Sequence, residues 1–162
     1  LDALGYSKTL IGVMWAVSVV VEIGWFFWQS RWLHRLPLTG WLLLCSGTMV
    51  LRMLLTAAWA DVLLVLVLAQ ALHAVTFAAH HTSCVALVSH HFPGRLRGRG
   101  QALYTVIAYG FPGVIGGLLG GILSEHWGLA SVFWASALTS VLAVLASYKV
   151  WRHHHPPAPV PA

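Results

Sequence analysis

The chain has 162 residues, of which 59% are hydrophobic and only 8% are charged. Its mean hydropathy is +0.79, and soluble domains carry about 25% charged residues, so this composition excludes a soluble globular domain and indicates an integral membrane protein. Nine Lys and Arg against four Asp and Glu give a net charge of +5. These charges are too sparse for a nucleic-acid-binding face, so we predict no nucleic-acid partner.

Five segments are long and apolar enough to cross the lipid bilayer, since a spanning helix needs about 20 apolar residues. They are residues 9–29, 38–59, 62–89, 101–123 and 129–149. The predicted fold is therefore all-α, a polytopic membrane helical bundle whose short joins make neighbouring spans antiparallel. Residues 1–151 would form the bundle, and residues 152–162, which are rich in Pro, would form a disordered cytoplasmic tail.

The basic residues collect at alternate ends of these spans. Seven lie on one side and Lys8 alone lies on the other; the seven are Arg31, Arg35, Arg95, Arg97, Arg99, Lys149 and Arg152. Because Lys and Arg favour the cytoplasmic side, we expect a multi-pass protein of the cell inner membrane with its amino end outside and its carboxyl end in the cytoplasm. The absence of an initial Met and the odd number of spans are typical of a piece of a longer chain.

Three ionisable residues, one on each of the first three spans, are predicted near the middle of the membrane. Glu22 lies about 13 Å from the inner boundary, Arg52 about 13 Å from the outer boundary and His73 about 18 Å from the outer boundary, at about 1.5 Å per residue. All three are therefore expected in one layer near the middle of a core about 30 Å thick. Such groups are costly in lipid and should face the protein interior, where they can pair or reach water.

The third span carries further polar residues on one face. At 100° per residue, Gln70, His73, Phe77, His80 and Cys84 form one stripe with Thr76 beside it. Such a stripe is typical of a helix that lines a wet, solute-sized cavity. His81 would point about 100° away from the stripe and either pack or bind a backbone carbonyl.

The fourth span is rich in glycine. Gly113, Gly117 and Gly121 are spaced by four residues, with Gly116 and Gly120 on an adjoining ridge. Small residues at this spacing let helix backbones approach closely. Pro112 predicts a bend, because it lacks a backbone N–H. We expect this helix to pack tightly and to slide or rock against its partner, as the moving elements of carriers do.

The stretch LHAVTFAAHHTSCVALVSHHFPGRLRGRGQALYTVIAYGFPGVIGGLLGGILSEHWG resembles major facilitator superfamily carriers of the phenylpropionate-permease type, which are related to the lactose permease-type proton symporters. The resemblance covers residues 4–151, with RGRGQALY its most distinctive piece. It implies a twelve-helix carrier of which these are spans eight to twelve, so that the amino-terminal half of the same carrier would be a missing partner.

The resemblance also implies roles for individual residues. The lactose-type carriers couple protons to sugar through an acid, an Arg and a His on successive spans, and Glu22, Arg52 and His73 are similar to these by helix. Where those carriers have a Glu three residues after the His, this chain has Thr76, and Glu22 is about one turn displaced from the sugar-contacting acid. The second departure argues against a sugar as the solute.

These observations predict proton-coupled symport of a small organic solute, for which the resemblance suggests an aromatic acid such as phenylpropionate. The substrate and proton-coupling residues would be Glu22, Arg52, His73, Gln70, Thr76, Phe77 and His80. A carboxylate solute would pair with Arg52 and displace it from Glu22, which would favour protonation of Glu22, and His73 could relay the proton. Trp15, Trp25, Phe77 and Tyr109 could stack on an aromatic solute.

Two other classes stay open. Histidines on spans can bind haem, so a membrane redox subunit is one alternative, although only the third span carries His near mid-membrane. A non-transporting membrane bundle is the other. The prediction that we favour requires no enzyme activity, no cofactor and no metal, and its partners are the solute, protons and the lipid bilayer.

Overall fold

The structure, a computed structural model, describes residues 5–154 of the chain. It confirms the all-α fold, with five helices that are long and apolar enough to cross a membrane. They are α1 (Lys8–Trp32), α2 (Leu38–Trp59), α3 (Leu63–His91), α4 (Gly94–Trp127) and α5 (Leu129–His154). No β-strand occurs within the described residues.

Serine, glycine and proline residues lie at the helix ends. The Ser7 side chain accepts a hydrogen bond from the Leu10 backbone N–H at 3.2 Å and so caps the start of α1. Gly128 separates α4 from α5 with φ of +79°, a conformation that favours glycine. Pro93 follows α3, where it cannot continue the helix.

Several helices extend beyond their predicted boundaries. A 3₁₀ turn at Leu33–Arg35 follows α1, and α4 continues to Trp127 through residues that were predicted to form a loop. The last helix runs to His154, three residues into the predicted tail, because no helix-breaking residue occurs before Pro156. The rest of that tail lies outside the described residues.

Two helices contain a π-helical segment, Ala74–Ala79 in α3 and Val106–Gly110 in α4. The segment in α4 precedes Pro112, whose missing N–H cannot complete the α-helical pattern. A π segment closes i→i+5 hydrogen bonds and is often found at functional sites. Beyond Ala74, therefore, the faces of α3 do not follow a constant 100° rotation.

The helices pack unequally. The most extensive contact is between α2 and α5, and the hydroxyls of Ser46 and Ser147 lie 3.0 Å apart across it. A 2.9 Å hydrogen bond from Thr82 Oγ1 on α3 to Gln29 Oε1 on α1 helps to hold these two helices together. Trp41, Cys45 and Ala79 form the core where α1, α2 and α3 meet.

The glycine-rich part of α4 is mostly open. A Cβ added at Gly113, Gly116, Gly117 or Gly121 would have no neighbour within 4 Å, and one at Gly120 would lie 3.8 Å from Val132 Cγ1 on α5. The predicted close helix packing is therefore absent from the described residues, because α4 contacts α5 only along its Gly120 side. A role in sliding or rocking stays a prediction.

Candidate functional site

The centre of the site is a contact between a carboxyl on α1 and an imidazole on α3. His73 Nε2 lies 2.8 Å from Glu22 Oε1, and the two side chains are 26% and 18% exposed. At this distance one hydrogen lies between the two atoms. His73 Nδ1 is buried and has no hydrogen-bond partner in the described residues.

Arg52 reaches α3 from the opposite side, on α2. Its Nε donates to the Ala69 carbonyl at 2.9 Å and its Nη1 donates to Thr76 Oγ1 at 3.3 Å. Thr76 in turn donates to the His73 carbonyl at 3.4 Å. In the described residues, the expected contact between Arg52 and Glu22 is absent within 4 Å. The carboxyl of Glu22 faces His73, and the guanidinium is held by Ala69 and Thr76, which lie four residues before and three residues after His73 on α3. The predicted depth of a residue gives its position across the membrane. It does not give the direction in which the side chain points around its helix.

A column of stacked rings continues from His73 along α3. The His73 and Phe77 centroids are 5.4 Å apart with planes inclined by 8°, and the Phe77 and His81 centroids are 6.1 Å apart with planes inclined by 11°. His81 Nδ1 lies 3.0 Å from the Tyr109 hydroxyl on α4. The expected position of His81 away from this face is therefore wrong. The π segment between His73 and His81 winds with more residues per turn, which aligns positions four apart.

The remaining predicted stripe residues point elsewhere. Cys84 Sγ lies 3.7 and 3.8 Å from the two ring nitrogens of His80, away from the Glu22 pair. Gln70 faces a cavity that the ring column does not line. Within the described residues, His73 therefore contacts α1 while Gln70 faces the cavity, and the stripe does not line that cavity as a whole.

That cavity has a volume of about 570 Å³ and lies between α2, α3 and α5, at the end of the bundle that holds the turns at Ala60 and Gly128. Arg52 and Gln70 line its deeper part. The remaining lining residues are Met53, Thr56, Ala57, Ala58, Ala60, Asp61, Leu66, Ala69, Leu129, Ala130 and Phe133. Sequence reasoning missed the contribution of α5, because an apolar span gives no polar signal for which residues face a cavity.

The aromatic residues considered for solute stacking take different positions. Trp25 packs against Trp41 on α2 with ring centroids 5.3 Å apart, whereas Trp15 is 69% exposed on the bundle surface. Tyr109 contacts both His81 and Tyr104, whose hydroxyl is 3.3 Å from its own. Phe77 remains 38% exposed at the ring column. None of the four lines the cavity.

The histidine contacts do not favour the haem alternative. His73 Nε2 faces Glu22 and His80 faces Cys84, so neither imidazole opposes a second one from another helix in residues 5–154. Over the same residues, no three side chains of His, Cys, Asp or Glu are grouped so that they could hold a metal ion.

Comparison with known proteins identifies a family for the chain. The model of the MFS_1 like family matches residues 1–135. The chain is also 29% identical over 149 residues to a protein of Escherichia coli (strain K12) described as a probable 3-phenylpropionic acid transporter. That alignment covers 92% of this chain and 38% of the relative. No solved structure matches significantly. The family match spans most of the five-helix bundle, and the chain therefore belongs to the MFS_1 like family, within the major facilitator superfamily.

Proposed function

We propose that this chain is the carboxyl-terminal part of a secondary active transporter that imports a small organic acid together with protons by alternating access. The family match and the similarity to the E. coli protein support transport, and the name of that protein suggests an aromatic acid such as 3-phenylpropionate. Because the chain spans 38% of that relative, an amino-terminal half would complete the transport path. The protein would lie in the cell inner membrane with α1 starting outside.

The observation that carries proton coupling is the 2.8 Å contact between Glu22 and His73. A carboxyl and an imidazole that share one hydrogen can hold a second at His73 Nδ1, which has no partner in the described residues. Since imidazole titrates in the physiological range, the pair can gain and lose a proton as the site opens to each side of the membrane. In the present conformation Nδ1 is buried, so proton entry requires movement of α1 relative to α3.

Arg52 connects this pair to the solute. Its guanidinium reaches Thr76, and Thr76 reaches the backbone of His73. A solute carboxylate that binds the planar guanidinium in two-point fashion draws Arg52 away from Thr76. That movement loosens the turn of α3 that holds His73 against Glu22, and so it ties solute binding to proton binding.

Transport by the complete carrier in liposomes tests this proposal. An inward proton gradient should increase the initial rate of 3-phenylpropionate uptake, and a protonophore should remove the increase. Carrier-free liposomes measure the passive entry of the protonated acid, which must be subtracted. A carrier-dependent rate that ignores the gradient would contradict proton coupling, and the lack of any carrier-dependent rate would contradict transport of this solute.

A further inference from the structure

We infer that the cavity between α2, α3 and α5 binds an aromatic carboxylate, with Arg52 at the carboxylate and Phe133 against the ring. This inference rests on the proposed function and assigns its solute a location. It also adds α5 to the helices that determine specificity. None of the residues that line the cavity from α5 was expected to contact a solute.

The size and lining of the cavity suit a small amphipathic molecule. Its volume of about 570 Å³ falls within the range of about 300–1,000 Å³ found for small-molecule sites. Most of the lining is apolar, with Met53 and Leu66 on the walls and small alanines that leave room between them. An apolar space with few polar groups fixes the orientation of its ligand through those groups.

Arg52 supplies the charge at the deep end. Its Nε and one N–H of Nη1 are used by Ala69 and Thr76, and a guanidinium has five N–H donors. Both N–H groups of Nη2 therefore have no partner within residues 5–154 and are available to a ligand. A half-buried guanidinium with free donors at an apolar cavity selects an anion, and its planar fork matches a carboxylate.

The other polar residues of the lining are compatible with an anion at Arg52. Gln70 can donate from its amide, while the Thr56 hydroxyl is already bonded to the Arg52 carbonyl at 2.9 Å. Asp61 is the single acidic residue of the lining, and it lies nine residues beyond Arg52, about 13 Å along α2. Over that distance its repulsion is reduced by ionic screening at the mouth of the cavity.

Phe133 supplies the aromatic contact. It is the one aromatic residue of the lining, and it lies on α5 across the cavity from α2 and α3. Ring pairs add to the free energy of apolar burial when they stack or meet edge to face. A ring in this position would lie between Phe133 and the apolar walls while its carboxylate reaches Arg52.

Binding measurements on the purified complete carrier test the ring contact. Phe133→Ala should raise the Kd of 3-phenylpropionate by about tenfold and leave the Kd of propionate, which has no ring, unchanged. Arg52→Gln should raise both. The matched control is Trp134→Ala, since Trp134 is the next residue, is 51% exposed and does not line the cavity. An unchanged Kd in Phe133→Ala would overturn the inference.

A labelling experiment covers the case in which Phe133→Ala does not fold. Ala130 lines the cavity near its mouth, so an Ala130→Cys carrier should react with a polar maleimide, after subtraction of labelling at the native cysteines. We expect 3-phenylpropionate to slow this reaction and 3-phenylpropan-1-ol, which lacks the charge, to leave it unchanged. Absence of labelling, or equal protection by both compounds, would overturn the inference.

The outcomes separate this inference from the proposed function. If the cavity is not the solute site, the proton gradient still drives uptake. In that case Phe133→Ala leaves the Kd of 3-phenylpropionate unchanged, and 3-phenylpropionate does not slow the labelling of Ala130→Cys. If proton coupling is wrong, Phe133→Ala still weakens binding while uptake ignores the gradient.

Discussion

Glu22 Oε1 meets His73 Nε2 at 2.8 Å and so joins α1 to α3. Removing one partner of a partly buried pair costs more stability than the pair itself contributes, so the coupling between Glu22 and His73 must be measured with both substitutions. In a double-mutant cycle of Glu22→Gln and His73→Phe, the unfolding free energy should show a coupling of about 0.5–3 kcal/mol.

A second cycle provides the control for that pair. Thr82 donates to Gln29 elsewhere on the same helix interface, so Glu22→Gln and Thr82→Val should be additive within about 0.5 kcal/mol. Additivity of Glu22→Gln with His73→Phe would contradict the contact between Glu22 and His73.

Thr76→Val should destabilise the bundle. The substitution keeps the shape of the side chain and removes the acceptor of the 3.3 Å bond from Arg52 Nη1. A buried donor left without its partner costs about 1–3 kcal/mol. Denaturation of the complete carrier in detergent measures the loss.

Thr48→Val is the matched control for Thr76→Val. The Thr48 hydroxyl donates to the Leu44 carbonyl on its own helix at 2.9 Å, so its loss should change stability by less than about 1 kcal/mol. Equal effects of the two substitutions would show that the contact between Arg52 and Thr76 contributes nothing.

Gly100→Ala should destabilise the junction between α3 and α4. Gly100 is buried, and a Cβ there would lie 2.6 Å from Phe92 Cγ and 2.8 Å from Phe92 Cβ. Such overpacking costs about 1–3 kcal/mol, which exceeds the gain of about 1 kcal/mol that alanine brings to a helix.

Gly98→Ala gives the opposite expectation two residues earlier. No atom lies within 4 Å of a Cβ at Gly98, so the substitution should be neutral or stabilising by up to about 1 kcal/mol. The melting temperature should therefore fall in Gly100→Ala and stay unchanged or rise in Gly98→Ala. A higher melting temperature for Gly100→Ala would contradict the packing of Phe92 on this glycine.

The five spans and the common depth of Glu22 and His73 could be predicted from the sequence, because apolar length indicates a span and distance from the charged loops measures depth. The partner of Arg52 could not, since depth carries no information about direction around a helix. The position of His81 was missed because the pattern of apolar residues does not reveal the π segment at Ala74–Ala79. The spacing of His73, Phe77 and His81 by four residues was the available clue to the ring column.

The cavity was beyond sequence reasoning for another reason. Phe133 lies in a span whose apolar residues look alike, and only the packing of α5 on α2 decides which of them faces α3. Polar residues mark their own faces in a membrane helix, whereas apolar residues do not.

The most direct test of the account compares net uptake with exchange in Glu22→Gln. Exchange of 3-phenylpropionate across liposomes containing the complete carrier requires no net proton movement, whereas uptake stimulated by a proton gradient does. We predict that Glu22→Gln retains carrier-dependent exchange and loses the stimulation by the gradient. Stimulation equal to that of the unsubstituted carrier would contradict the assignment of Glu22 and His73 as the proton-coupling pair.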